Sequence, residues 1–482
     1  MAKRRKLFFE LPFSMEAPRL TNPSIGIARV VGRGDKAAEM DITLLDAPDN
    51  RLLRAGVMLA HRVVDGLGEW YLDAPTWQPW LPADHAEPLG AAGDLPDDLA
   101  ELVRPFRRRA TLGPVAAVTS SRTIYTFKDA DEVTLGTLTG EQITIRRNGL
   151  TTARFREATL VPSPAMSGAQ RRFLADAMRQ VGGIQVESFP DVVRRLGAPA
   201  TGLTDYPEPR EWDAKVSLET FVSQLFATRL QEIMRADLAL RASELARRGR
   251  AQGQEPSQPT PGQAESEALN GPGLSPLLSE LAQLRHQVSS LAGVLEPTWR
   301  ALMVADLAAV IDAGQKRSIG NLDERYYAVL DNLIAAVRAP QLGDMSQKQA
   351  APVLRQQLES GMRILIARCH RLRGEATDAD WEAALEAARQ LLGTTEGLAI
   401  LFGKLARRVA KQLRKTQHLL EPCQPVADWP DQARLAEMSP EQAFSAGREL
   451  QRAGDARDAA RARFVREWPE VCGKLMALRT AS

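Results

Sequence analysis

Six basic residues and no acidic one lie within residues 401–420. Their spacing of three or four residues places them on one face of a helix, where ammonium and guanidinium groups form a continuous positive row. Like charges at that spacing repel each other by roughly a few tenths of a kcal/mol per pair, and a polyanion relieves this repulsion. Acidic groups on neighbouring helices would relieve it too, so both arrangements stay open. The six residues are Lys404, Arg407, Arg408, Lys411, Arg414 and Lys415.

The residue types that most often hold metals or form disulfides show no pattern of that kind. Cys369, Cys423 and Cys472 lie far apart, without a Cys-x-x-Cys spacing. We therefore expect unpaired thiols in a reducing compartment, with a disulfide between two of them as the alternative. The five histidines are scattered, so the sequence predicts no zinc site. The formal net charge of +2 does not indicate a partner, and local charge must be considered instead.

The sequence contains no segment that would direct the chain into or across a membrane. Glu10 and Pro12 break the apolar run that follows the basic N-terminal residues, which leaves it too short for a signal peptide. No run of about 18 apolar residues occurs elsewhere, so no transmembrane helix is predicted. We therefore expect a cytoplasmic protein without a membrane partner.

Short strands separated by turns dominate the first 200 residues or so. Residues 44–75 are typical of a strand, a turn, a strand, a glycine-rich turn and a strand, because Asp, Asn and Pro favour the first turn and Gly the second. A helix is predicted over residues 170–181. Strands at such short spacing predict an antiparallel barrel or sandwich. The later strands are predicted at residues 120–127, 133–138, 141–147 and 151–161.

The apolar period changes from two to 3.6 after Pro207, which predicts helices to the end of the chain. Residues 251–273 are rich in Gln, Pro, Gly, Ser and Glu and cannot bury a core, so we expect a flexible insertion there. Thr377 and Asp380 are spaced as a capping box, and Gly393 is predicted to end the helix that they begin. Mostly short loops between these helices predict a helical bundle.

The order of turn, glycine and tryptophan positions within residues 44–75 resembles the CYTH domain, the triphosphate-tunnel fold. Asp46, Gly56, Arg62 and Trp70 are among the matching positions, and the resemblance extends over residues 5–198. It implies a barrel of about eight antiparallel strands whose lumen, in active members, binds triphosphate and a divalent metal. That chemistry requires carboxylates to hold Mg²⁺ or Mn²⁺ and inward-facing Lys and Arg to neutralise phosphates.

The departures from the CYTH pattern fall on this ionic lining. Ala2 and Arg4 occupy the glutamate positions of the family's Glu-x-Glu-x-Lys strand, and Asp73 occupies a lysine position. Without paired carboxylates the metal has no cage, and attack on a phosphoanhydride loses its main charge stabiliser. We therefore expect a pseudoenzyme with no catalytic residues and no metal site. The cations left to contact an anion, or to form ordinary salt bridges, are Lys6, Arg54, Arg62, Arg122 and Arg156.

The basic helix resembles the CHAD domain, a helical module found next to CYTH domains. An earlier CHAD motif is retained only in part, with Arg285 as its remaining cation. The resemblance spans residues 213–482 and implies that polyphosphate binds to basic helix faces. The cations that match the later motif are Arg407, Arg408, Lys411 and Arg414, while Lys404 and Lys415 stand at a histidine and a tyrosine position.

Together these features predict an α+β multidomain protein with a triphosphate-tunnel-like β-barrel over residues 5–198, a linker over 199–212 and an all-α bundle over 213–482. The favoured function is non-catalytic binding of inorganic polyphosphate or another polyanion through the basic helix face and Arg285, without a cofactor. One alternative is an active phosphate hydrolase, which would need Mg²⁺ or Mn²⁺. The other is a protein-interaction scaffold with no phosphate ligand. Nucleic acid is disfavoured, because no aromatic residue interleaves the basic helix to stack bases.

Overall fold

The computed structural model describes residues 6–32, 38–64, 66–82, 84–88, 94–210, 215–251, 275–316, 324–374, 376–397, 399–425 and 438–480. The described residues form two compact units. Those within Met1–Pro207 and Arg241–Ser266 form the first unit, and those within Glu208–Leu240 and Glu267–Ser482 form the second. The first unit contains an antiparallel sheet and the second is helical, so the predicted α+β class is confirmed. The limits of the predicted domains stay a prediction.

Ten strands form the sheet of the first unit. They are β1 (Leu7–Leu11), β2 (Arg29–Gly32), β3 (Ala38–Asp46), β4 (Met58–Val64), β5 (Leu67–Asp73), β6 (Asp84–Pro88), β7 (Gly113–Lys128), β8 (Thr134–Arg147), β9 (Leu150–Pro162) and β10 (Ile184–Val186). The hydrogen-bonded order is β10-β1-β9-β8-β7-β3-β4-β5-β6, and β2 pairs with β7. Within the described residues no pairing joins β10 to β6, so the sheet is open and the predicted closed barrel is wrong. These end strands hold three and five residues, which leaves few groups for closure.

The three longest strands, β7, β8 and β9, lie side by side and hold the sheet together. The predicted separation of strands 133–138 and 141–147 is wrong, because β8 is continuous through Thr139 and Gly140. Gly140 pairs with Thr123 of β7 on one side and with Ala158 of β9 on the other. Hydrogen bonds to both neighbouring strands satisfy the backbone groups of β8 at this point, so the chain stays extended there.

The two faces of the sheet have different surroundings, because successive side chains of a strand point to opposite sides. One face packs against helix α3 (Gly168–Gln180), where Phe9 and Leu160 meet Leu174 and Met178 in a buried core. The opposite face carries a second apolar cluster, which includes Leu44, Val118, Ile143, Ile145 and Phe155. Any polar site on this second face must lie beside that cluster.

The segment of residues 44–75 folds as predicted, with the short helix α1 (Arg51–Arg54) in its first turn. The buried Asp46 carboxylate accepts hydrogen bonds from the backbone N–H groups of Ala47, Leu52 and Leu53 at 2.6, 3.0 and 2.9 Å. Gly56 has a φ of +74°, and a Cβ there would lie 2.7 Å from Thr76 Oγ1. Both the backbone conformation and the available space therefore require glycine at this position.

The remaining helices of the first unit are α2 (Asp97–Arg107) and α4 (Val192–Leu196), and α5 (Leu218–Ala251) follows them in the chain. The described helices after α5 are α6 (Ser275–Ser290), α7 (Pro297–Lys316), α8 (Glu324–Arg338), α9 (Ala350–Arg371), α10 (Asp378–Gly397), α11 (Ala399–Phe402), α12 (Lys404–Leu420) and α13 (Pro440–Thr480). In the second unit α12 packs against α10 and α13. The predicted insertion lies outside the described residues, except for Ala251 at the end of α5.

Of two predicted helix boundaries in the second unit, one agrees with the structure and the other does not. The capping box of Thr377 and Asp380 is present, since each donates its backbone N–H to the other's side chain. Gly393, however, does not end α10, which continues to Gly397. A glycine in a left-handed conformation lies further along, at Gly403, whose φ of +50° separates α11 from α12. Gly393 keeps a helical backbone, whereas a glycine that caps a helix commonly takes up a left-handed conformation.

Candidate functional site

Helix α12 carries the six predicted cations on its exposed side. We call Lys404, Arg407, Arg408, Lys411, Arg414 and Lys415 the basic row. All six are exposed, while Ala406, Val409, Ala410 and Leu413 are buried on the other side of the helix. The apolar side anchors α12 in the second unit, so the cations project from a fixed backbone into solvent.

The basic row has few internal counter-charges. Lys404, Arg407, Arg408 and Lys411 make no ion pair with any side chain that the structure describes. Lys415 differs, because its charge reaches Glu467 and Glu470 of α13. The pKa of Glu467 is lowered first by a hydrogen bond from Arg463, and that of Glu470 by a hydrogen bond from Lys474, with Lys415 adding to both. The N-terminal part of the row is therefore the part most open to an external anion.

A pocket of about 510 Å³ lies beside α12 and is lined by Arg285, the cation that the resemblance to CHAD domains had singled out. Arg229, His286 and Arg389 also line it, together with Gln417 of α12. Gln417 is three residues from Arg414, so the pocket and the basic row lie on adjoining parts of the helix surface. Arg285 is thus outside the row but close to one end of it.

The charges at this pocket are partly neutralised by Glu386. Its carboxylate lies 3.3 Å from Nδ1 of His286 and 3.9 Å from Nη2 of Arg285. Burial alone would raise the pKa of Glu386, but hydrogen bonding to His286, the charge of His286, a hydrogen bond from Gln390 and the charge of Arg285 outweigh it. Together they lower the pKa to about 2. The pocket therefore offers an anion less net charge than its arginines suggest.

The five predicted tunnel cations do not converge. Arg62 and Arg122 face the same side of the sheet. Arg62 lies opposite Ile42 on the neighbouring strand, and Ile42 in turn lies opposite Val118. Arg122 is four residues after Val118 on the same strand, and an even spacing keeps both side chains on one face. Arg156 alternates with Glu157 along β9 and so points to the opposite face. Two cations lie off the strands: Lys6 is exposed just before β1, and Arg54 ends α1.

Three of these arginines already have acidic partners. Nη2 of Arg54 lies 3.2 Å from Asp205 and 3.3 Å from Asp49. Arg62 pairs with Glu69, and its guanidinium carbon lies 4.0 Å above the ring of Tyr71. Arg122 lies 3.5 Å from Glu141. An anion entering this face would have to compete with those carboxylates.

The register of the sheet brings together a row of carboxylates that the sequence did not reveal. Glu10 of β1 pairs with Glu157 of β9, which pairs with Glu141 of β8, and Arg122 of β7 continues the same row. Directly opposed residues point to the same face, so the three carboxylates are neighbours. Glu10 lies in the strand LFFEL, whereas the family pattern had placed the glutamates at residues 2 and 4. The single acidic residue in an apolar strand was the available signal.

Protein groups already occupy two of these carboxylates. Glu157 forms a buried ion pair with Arg195 of α4, and Glu141 accepts a hydrogen bond from the Ser120 hydroxyl. Burial raises the pKa of Glu157, Arg195 opposes the rise, and the charges of Glu141 and Glu10 add to it. Among the described residues, no group of three His, Cys, Asp or Glu side chains is arranged to hold a metal ion.

The described helices include none that is both long and apolar enough to cross a membrane. Cys369, Cys423 and Cys472 are free, buried thiols. Burial raises the pKa of Cys369 above that of an ordinary thiol, with a further contribution from the nearby Cys472. These thiols are consequently held in their protonated form.

Comparison with known proteins gives only distant similarities. No family model matches the sequence, and no curated protein matches it. A proposed adenylate cyclase of Bacillus halodurans aligns over 36% of this chain and 98% of its own, at 13% identity and a TM-score of 0.22. A proposed adenylate cyclase of Vibrio parahaemolyticus aligns over 40% of this chain and 98% of its own, at 14% identity and a TM-score of 0.19. A proposed adenylyl cyclase of Hippeastrum with a dominant triphosphatase activity aligns over 40% of this chain and 97% of its own, at 11% identity and a TM-score of 0.21. At such TM-scores these alignments support no conclusion about fold or function.

Proposed function

We propose that this chain is a non-catalytic CYTH–CHAD protein that binds inorganic polyphosphate through the basic row. The observation that carries the proposal is the exposure of all six cations on one helix, with no described acidic partner for Lys404, Arg407, Arg408 or Lys411. A linear chain of phosphates fits such a row, because each phosphate meets a cation and releases bound counterions. The setting we propose is the cytoplasm, in keeping with three free thiols.

The sheet supports a non-catalytic role for the first unit. Two of the three carboxylates in its row, Glu157 and Glu141, are engaged by Arg195, Ser120 and Arg122. Three of the four arginines predicted to neutralise phosphates, Arg54, Arg62 and Arg122, are likewise paired with carboxylates. Hydrolysis of a phosphoanhydride requires groups that stabilise the charge developing in the transition state. Side chains that are already paired with each other contribute little to that stabilisation.

The test is a titration of end-labelled inorganic polyphosphate with the full chain, in low and in high salt, with the fluorescence anisotropy of the polymer as the readout. The test variant carries Lys404→Glu, Arg408→Glu, Lys411→Glu and Lys415→Glu. Loss of four phosphate contacts is expected to abolish tight binding and to reduce the slope of log K against log salt by about 3.

The matched control reverses four exposed arginines elsewhere in the second unit, Arg363, Arg371, Arg373 and Arg452. It should bind much more tightly than the test variant, although general charge loss will weaken it slightly. Equal binding by both variants would reject the basic row as the site. Release of phosphate from tripolyphosphate with Mn²⁺ by the unmodified chain, above a boiled sample, would favour the hydrolase alternative.

A further inference from the structure

A second arginine-rich site lies on the first unit, on the side of the sheet that packs against α3. A cleft of about 350 Å³ opens between α3, the start of β1 and the edge strand β10. We call it the α3 cleft; Leu7, Arg171, Arg172, Ala175, Arg179 and Gln185 line it. No carboxylate is among the described residues that line this cleft. Its volume lies in the lower part of the range of about 300–1,000 Å³ that is usual for small-molecule sites.

Two of its arginines have no acidic partner to satisfy them. Arg171 is half-buried and Arg172 is exposed, and neither forms an ion pair with a side chain that the structure describes. Arg179 is paired, with Nη1 2.6 Å from Asp176, and its Nη2 donates to Gln185 Oε1 at 3.3 Å. A half-buried guanidinium retains donors that favour a bidentate acceptor such as a phosphate.

The arginines project from a helix that is fixed in place. Ser167 and Gln170 form a capping box at its start, and the Gln170 amide also donates to the backbone oxygen of Ile25 at 3.0 Å. Leu174 and Met178 are buried in the core beneath the sheet. Little ordering of the backbone is therefore needed when an anion binds, so less of the binding free energy is lost.

The lining also indicates which anion would fit. Leu7 and Ala175 are buried apolar residues of the lining, and no aromatic ring is among the described residues that line the cleft. Recognition of a nucleotide base normally uses stacking on such a ring. We infer that the α3 cleft binds a short inorganic phosphate chain, such as pyrophosphate or tripolyphosphate, and binds a nucleotide no better than its phosphates alone.

The experiment uses the full chain with the four reversals on α12 already introduced, so that failure of the basic row cannot be mistaken for failure of the α3 cleft. Isothermal titration with tripolyphosphate should show one saturable site. Arg171→Gln with Arg172→Gln should weaken it at least tenfold, whereas Arg171→Lys with Arg172→Lys should weaken it less, because the charge remains but the fork is lost. Arg19→Gln with Arg146→Gln, two exposed arginines of the same unit, is the matched control and should change it little.

A second measurement needs no variant of the cleft and so survives misfolding of the mutants. Tripolyphosphate should protect Arg171 and Arg172 from phenylglyoxal, read by mass spectrometry, while Arg19 and Arg146 stay reactive. Equal protection of all four residues, no titratable site, or an affinity loss in the control pair equal to that of Arg171→Gln with Arg172→Gln would overturn the proposal. Tighter binding of ATP than of tripolyphosphate would overturn the assignment to a ligand without a base.

Discussion

At the scale of single residues, Glu157 and Arg195 decide what the polar face of the sheet can hold. Their side chains are only 7% and 6% exposed, and Arg195 also lies 4.9 Å above the ring of Phe155. Glu157 stands between two other carboxylates of the row, Glu10 and Glu141. The guanidinium of Arg195 therefore offsets the repulsion among the three carboxylates of this row.

Removing Arg195 should leave Glu157 buried without a cation. We expect Arg195→Ala to lower the free energy of unfolding by about 3–5 kcal/mol at neutral pH, because an uncompensated buried charge is costly. Loss of Arg195 also raises the pKa of Glu157 further, so the folded variant retains a proton that the unfolded chain releases. Its stability deficit should consequently shrink as the pH falls toward the range in which Glu157 is protonated.

Urea denaturation at several pH values measures this deficit. The neighbouring exposed Arg194 provides the control, and Arg194→Ala should cost less than about 0.5 kcal/mol. A deficit for Arg195→Ala that matches the control, or that grows as the pH falls, would contradict the role given to this pair.

At the scale of elements, the exposed face of α12 carries like charges whose repulsion lowers the stability of the helix. Lys411 has Arg407, Arg408, Arg414 and Lys415 within three or four positions on the same face, and each of these pairs is repulsive. The buried side, with Val409 and Leu413, offsets the repulsion by packing against α10 and α13. A helix that served only to fill the bundle would have no need of such a surface.

Reversing one charge in the middle of the row should therefore stabilise the protein while weakening its binding of polyphosphate. We expect Lys411→Glu to raise the free energy of unfolding by about 2 kcal/mol in low salt, since four pairs that each cost about 0.2–0.5 kcal/mol become attractive by a similar amount. The gain should decrease in high salt, where exposed charges are screened. Lys411→Gln should give roughly half of it.

Thermal and urea unfolding in the two salt conditions provide the measurement. A Lys411→Glu chain that is less stable than the unmodified one would show that an acceptor within the protein already uses this lysine.

At the scale of the whole molecule, charge is balanced, with 62 basic and 60 acidic residues. Long-range attraction of a polyanion by the net charge is accordingly weak, and binding must come from local rows and clefts. The same balance exists inside the first unit, where arginines and carboxylates satisfy one another across the sheet. Ionic contacts between side chains of that unit thus contribute to its stability.

Chelation of divalent metals should therefore leave the protein unchanged. We expect EDTA to produce no shift in the thermal unfolding midpoint of the full chain, because Arg195, Ser120 and Arg122 already engage Glu157 and Glu141, two of the three carboxylates of the row. A ligand that binds only the folded state raises its stability by mass action, so a structural metal would reveal itself by a fall in the midpoint. Such a fall, reversed by adding Mg²⁺ or Mn²⁺, would contradict this prediction.

Much of the fold could be predicted from the sequence, because local chemistry determines it. The turn at Asp46, the helix at α3 and the amphipathic pattern of α12 each depend on residues close together in the chain, and all three are present in the structure. Turn residues, caps and apolar periods act over a few positions, so one sequence suffices to identify them. The misplaced boundary at Gly393 arose because the residue type alone does not decide whether a glycine adopts the left-handed conformation typical of a helix cap, and Gly393 does not adopt it.

The sequence by itself thus determined the α+β class and the single-faced row of cations on α12, since both follow from spacing along the chain. Only the tertiary structure decided that the sheet is open, that Glu10, Glu157 and Glu141 stand in one row, and that Arg195 neutralises it. It also decided that Arg171 and Arg172 share a cleft with the edge of the sheet. Strand register and the approach of distant segments depend on packing between residues far apart in sequence, and no local pattern records them.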